Sequence, residues 1–189
     1  MLDCDWKKLS TTEEYERRFI PLVQKYRPVF AMVRDYERAE QREEMLREIE
    51  MLRGLGVLRI GVVPKFEGAI QDIPRDCIVA VSVPSSYAGY VPPLEQLRGR
   101  RVHLLGGNPK AQLDLIVKMR GIGAQVLSVD YNVHERNAQN GMVFDGGVWN
   151  IECSILNYTI AYDELVWFSG QNIRKFLVEG MKVTQPMLL

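Results

Sequence analysis

The chain has 189 residues, long enough to bury a full core within one domain. Its 47% apolar and 25% charged content is that of an ordinary globular chain, with no run of about 18 apolar residues to suggest a membrane span. The formal net charge is zero, which excludes a global field for nucleic acid and leaves Arg98, Arg100 and Arg101 as one dense basic spot.

Cys4, Cys77 and Cys153 are scattered and form no CxxC pair, so no metal site and no cofactor is expected. Free thiols and the lack of a basic-then-apolar leader lead to the expectation of a cytoplasmic protein without a membrane partner.

Met1-Leu2 reads as the tail of a strand, followed by Asp3 and Asp5. A strand over Pro28–Val33 runs out at Asp35, and Glu37 to Arg53 follows as a helix with Met45, Leu46, Ile49 and Leu52 on one face. Further strands are expected at Leu58–Val63, Ile78–Val83, Val102–Leu105 and Gln125–Val129. Asn108-Pro109 opens a helix between the last two, with asparagine as cap and proline in the first turn. The segment 142–150 reads as a β-hairpin with a glycine turn, and residues 162–180 as a last amphipathic helix with its stop at Gly180.

Strands that alternate with helices predict an α/β domain with a parallel sheet. No GxGxxG loop marks a dinucleotide site, and polar residues end nearly every strand: Lys65, Ser82, Ser85 and Asn132 among them. That distribution favours a (β/α) TIM-type barrel, shortened or incomplete, over an open doubly wound sheet, because barrels gather their sites from strand ends. One domain over residues 1–189 is expected, with a homo-oligomer as one way to supply a missing stave.

Asp130 ends a buried strand, a costly place for a carboxylate unless it is used or paired. Asp35 and Asp3 stand at the other strand ends. Each has a plainer reading as well: Asp130 and Asp35 as caps of the next helix, Asp3 and Asp5 as residues of a fraying terminus, and His103 as a satisfied core histidine.

The stretch from Arg101 to Trp149 resembles the tRNA-guanine transglycosylase superfamily, including its DNA-acting relatives. The residues that carry this are Leu104-Leu105-Gly106-Gly107-Asn108-Pro109, then Val129-Asp130-Tyr131, then Arg136-Asn137-Ala138-Gln139-Asn140-Gly141. Ala31-Met32-Val33-Arg34-Asp35-Tyr36-Glu37 and Met1-Leu2-Asp3 are similar to two further strand ends of that family. The chain departs from it in Cys4-Asp5-Trp6-Lys7, in Ser82-Val83-Pro84-Ser85-Ser86-Tyr87 and in having no cysteine-rich zinc module, a pattern closer to a DNA-acting relative.

The resemblance implies cleavage of a nucleobase N-glycosidic bond, with Asp130 as nucleophile, Asp35 as base-recognising or proton-transferring acid and Asp3 as a third acid. The expectation is a DNA glycosylase acting on a modified, flipped-out base and leaving an abasic site, with DNA a more natural partner than tRNA. Substrate contacts fall to Trp6, Lys65, Ser82, Tyr87, Gly106, Gly107, Asn132 and His134, and phosphate contacts to Arg98, Arg100, Arg101 and Arg136. Tyr90 and Tyr131 are further aromatic candidates to receive the base. Alternatives are a transglycosylase exchanging 7-deazaguanines in tRNA or DNA, a non-catalytic nucleic-acid-binding barrel, and an enzyme on free nucleosides.

Overall fold

The computed structural model describes residues 1–3, 9, 11–84, 89–130, 137–140, 142–150 and 162–183. Thr11 begins the first helix by accepting a hydrogen bond from the Glu14 amide, in a Thr-x-x-Glu start signal. That helix, α1, runs through Thr12–Glu14, a π turn at Tyr15–Phe19, and Ile20–Tyr26. It buries Tyr15, Phe19 and Val23, spaced four apart, and stops at Arg27 with φ 45°. This helix was not among the expected elements.

The elements that follow are β1 (Phe30–Met32), α2 (Arg42–Gly54), β2 (Arg59–Val62), α3 (Ala69–Asp72) and β3 (Ile78–Ser82). After them come β4 (Arg101–Leu105), α4 (Pro109–Gly121), β5 (Gln125–Asp130), β6 (Val143–Asp145), β7 (Val148–Asn150) and α5 (Tyr162–Val183). Short 3-10 turns at Ala39–Gln41 and Leu94–Leu97 lead into α2 and towards β4. Asn108 caps α4 through Ala111 N at 2.9 Å, with Pro109 in the first turn as expected.

All five main strands are parallel, in the order β1-β2-β3-β4-β5, and Leu2 bridges to Ala31 beyond β1. Neighbours in sequence are therefore neighbours in space, and right-handed crossovers put the helices on one face. The other face curls inward. Flat strands would hold β1 and β4 about 14 Å apart at three spacings, yet the Phe30 and His103 rings meet edge to face at 5.3 Å. Gly61 on β2 permits this: a Cβ there would lie 2.3 Å from Met32 Sδ and 2.8 Å from Phe30 Cε2.

The result is an open half-barrel, which corrects the expected (β/α) TIM-type barrel, shortened or incomplete. Among the described residues no strand pairs outside β5, while Leu2 occupies the opposite edge. Too few staves are present for closure, which takes about eight at the usual tilt.

The hairpin of β6 and β7 turns at Gly146 and Gly147, with φ 56° and 92°, as a two-residue turn between antiparallel strands requires. It docks on α5: Phe144 packs against Phe176, its amide donates to Ser169 Oγ, and its carbonyl accepts from Asn172 Nδ2 at 2.8 Å. None of the described helices is long and apolar enough to cross a membrane.

One polar network lies inside the core. Arg34, just past β1, donates from Nε to Glu48 of α2 at 2.5 Å and from Nη2 to Thr12 of α1 and to Glu44, both at 2.8 Å. Its amide also donates to Glu48 at 3.2 Å. Burial works against the charged guanidinium, but Glu48 and Glu44 more than offset it, while burial raises the Glu48 carboxyl. Mutual attraction, not water, keeps this pair ionised.

Glu48→Ala should therefore cost about 3–5 kcal/mol in urea unfolding, since it strands a buried cation. A loss below about 1 kcal/mol would show that Thr12 and Glu44 suffice to hold Arg34. Gly61→Ala should cost about 1–3 kcal/mol by overpacking the concave face. Unchanged stability there would mean that the Phe30 and Met32 side chains move aside freely.

Candidate functional site at the carboxyl ends of the strands

The chain leaves each parallel strand on the same rim, and acids collect there. Asp3 follows the Leu2 bridge, Asp35 follows β1 and Lys65 follows β2. The segments after β1 and β2 stay together through Tyr36 N to Val63 O at 2.9 Å and Lys65 N to Tyr36 O at 2.9 Å. That pairing brings Lys65 Nζ within 3.1 Å of Asp35 Oδ2.

Asp35 is nearly enclosed, its side chain 11% exposed. Burial pushes its carboxyl up, the Lys65 ammonium pulls it back in part, and the charges of Glu37 and Asp3 push it up again. The net direction is upward, as for a group poised to hold a proton. It is not a helix cap: the next helical turn opens at Arg38, where Gln41 Oε1 accepts from the Arg38 amide at 3.2 Å.

On the far side of the rim, Ser82, Leu105 and Asp130 stand side by side in register at the ends of β3, β4 and β5. Lys65 belongs to the same level, since Lys65 and Ser82 are each four residues beyond the paired Gly61 and Ile78. The Asp130 side chain is exposed, and its backbone is clamped. Its carbonyl accepts from Gly106 N at 2.8 Å and from Gln112 Nε2 of α4 at 3.1 Å, and the same amide reaches Gly106 O at 2.7 Å.

Gly106 and Gly107, expected as substrate contacts, form the turn from β4 into α4, with φ 67° and 78°. A Cβ at Gly107 would fall 2.5 Å from Val83 Cγ1, so glycine there serves close packing.

His103 lies one register step below Leu105, 1% exposed, with Nδ1 2.8 Å from Ser128 Oγ. Burial lowers its pKa, so the ring is neutral, although the Asp130 charge pulls the other way. Its Nε2 is buried with no hydrogen-bond partner. The expected core histidine is thus a core histidine beneath the rim.

Of the arginines expected at phosphates, Arg98, Arg100 and Arg101 do not reach this site. Arg98, Arg100 and Arg101 cluster where β4 begins, at the opposite end of the sheet. Arg100 is 3% exposed and donates to Ile73 O and Pro74 O at 2.9–3.0 Å, so it holds a loop and is not free for phosphate. Trp6, Tyr87, Tyr131, Asn132, His134 and Arg136 lie outside the described residues, as does Asp5. Gln112 and Ser128 were not foreseen; the signal for Gln112 was a polar residue on the same α4 face as Leu115, Ile116 and Met119.

A nearly enclosed acid beside an ammonium and an exposed carboxylate further along the rim offer proton transfer and nucleophilic or charge-stabilising chemistry. No curated protein and no solved structure matches the chain. Residues 1–178 match the profile of a family of unknown function, DUF6610, and the chain belongs to that family.

Proposed function

We propose that this rim cleaves the N-glycosidic bond of a nucleobase in DNA, with a modified base as substrate and an abasic site as product. What supports the reading is the presence of two unlike carboxyls on one rim: Asp35 enclosed, raised by burial and held by Lys65, and Asp130 exposed on the concave side. Environments that push two acids apart are how a site assigns one to proton donation and the other to nucleophilic attack. The resemblance of Leu104 through Gly141 to base-exchanging enzymes supplies the choice of bond.

In this scheme an Asp130 oxygen attacks the anomeric carbon as its bond to the base nitrogen breaks. The Asp35 carboxyl gives its proton to the departing base. Asp35, now a carboxylate, takes a proton from water as that water displaces Asp130 from the sugar. DNA and water thereby become an abasic site and a free base, with both acids restored. Lys65 steadies the Asp35 carboxylate between the two half-reactions.

Duplex oligonucleotides carrying single modified bases should release that base, read by mass spectrometry, and break at the site after alkali treatment. Asp130→Asn should reduce release to background. Release that survives this substitution would remove Asp130 from the chemistry. A released base replaced by an added free base, with no alkali-sensitive site, would instead show exchange. Salt-sensitive binding without release would indicate a binding protein.

Asp35→Asn should slow release about 10²–10⁴-fold while leaving the fold at least as stable at neutral pH. A carboxyl with a raised folded-state pKa binds more protons folded than unfolded, so it penalises stability above its range and not below it. Melting scans from pH 7 down to pH 4 should show the advantage of the variant shrinking as Asp35 in the parent takes up its proton. A variant less stable at pH 7 would make the Lys65 pair a structural contact.

A further inference from the structure

The pairing of β4 with β5 contains one irregularity, and it falls just before Asp130. Val102 pairs with Val126, but His103 pairs with Ser128, so Leu127 is an extra residue on β5. A bulge of one residue reverses which face every later side chain occupies. With the bulge, Ser128 and Asp130 follow His103 and Leu105 onto the concave face, while Val129 joins Leu104 on the helix side. Without it, His103 would oppose Leu127 and Leu105 would oppose Val129. Asp130 would then sit beside Gly106 and face the helices.

One side-chain contact is specific to the bulged register. Below the rim, His103 Nδ1 meets Ser128 Oγ at 2.8 Å in a partly buried setting, a contact that exists only if Leu127 is looped out. At the rim, the fully buried Gln112 side chain spans Gly106 O and Asp130 O at 2.7 and 3.1 Å. A one-residue slip would break the first contact, whereas Gln112 would meet the Val129 carbonyl in place of that of Asp130. Leu127 itself is 41% exposed, the cost of leaving an apolar side chain out of the ladder.

We propose that the Leu127 bulge, pinned by His103–Ser128, is the device that turns Asp130 onto the concave face, which makes His103 and Ser128 positioning residues for that carboxylate. The inference rests on the reading of Asp130 as the reacting group, but the register it describes is measurable without any activity. The pin is worth roughly a five-fold bias in the register equilibrium, the usual net weight of a hydrogen bond.

The test is Ser128→Ala, with and without deletion of Leu127. In this pin-less chain, a share of the NMR cross-strand contacts of residue 130 should move from Leu105 to Gly106. Base release should lose kcat by up to about five-fold with KM little changed, since only the fraction in the bulged register reacts. Deleting Leu127 in the same background should restore both, because regular pairing then puts Asp130 opposite Leu105 with no pin. A merely structural role predicts no such rescue.

Contacts of residue 130 that stay at Leu105 in the pin-less chain would overturn the proposal, as would failure of the deletion to restore them. If the parent releases no base, the NMR comparison alone decides the register while the functional reading falls. If Ser128→Ala does not fold, deletion of Leu127 in the parent decides: residue 130 should remain opposite Leu105, and a move to Gly106 would refute the proposal.

Discussion

Two side chains from β1 occupy the space above Gly61 that any other residue would fill with its own Cβ. Phe30 and Met32 lie across β2 at that point, and Phe30 continues on to the His103 ring of β4. This close approach packs side chains of β1 across the concave face. It also curls the sheet, so that strand ends which would otherwise lie along a straight line share an arc. The rim acids depend on that arc. Asp35 and Asp130 stand at the carboxyl ends of the two outer strands of the five-stranded sheet, on the same rim.

Curvature alone does not decide which side chains face inward. In a ladder of period two, every position past an irregularity belongs to the opposite face. The run Val126-Leu127-Ser128-Val129 cannot satisfy a regular strand, because its apolar residues do not alternate. Looping out Leu127 lets Val126 and Val129 both join the helix-side core and leaves Ser128 and Asp130 together on the concave side. The broken alternation is therefore informative: apolar packing on one face and polar chemistry on the other are both met at the expense of one exposed leucine.

Much of this organisation was legible in the sequence, for identifiable reasons. The strands are apolar runs bounded by turn residues, and each expected run contains or overlaps the strand that forms. Asn108-Pro109 started its helix because a cap and a fixed φ need no tertiary help. Closure was not legible, because it depends on whether the two outer strands meet, and no local pattern encodes that. The first helix was missed although Thr11-x-x-Glu14 and the spacing Tyr15, Phe19, Val23 announced it; the apolar stripe is one residue wide and its π turn departs from the usual period. Among Arg98, Arg100 and Arg101, spacing showed a basic spot, but only the fold shows Arg100 turned inward to two carbonyls. At the rim, strand-end polarity located Asp35, Lys65, Ser82 and Asp130 together, and missed Gln112 because its partners are backbone atoms.

The stability network and the candidate site meet at one peptide bond. Arg34 is anchored through its side chain to α1 and α2 and through its amide to Glu48. Asp35, the next residue, therefore leaves a backbone that is fixed on its preceding side, and the turn to Tyr36 is fixed by hydrogen bonds to the segment after β2. A carboxyl held this way cannot retreat into solvent to relieve its burial. Lys65 compensates it only in part, so the raised proton affinity persists. Rigid support beneath an unrelieved charge is what preorganises an acid: its cost is met by the folding of the residues around it, before any substrate arrives. Asp130 is arranged by different means, with a clamped backbone and an exposed side chain, and its carboxylate stays solvated. The difference in setting between the two acids thus follows from what holds each main chain, and from how much water each side chain keeps.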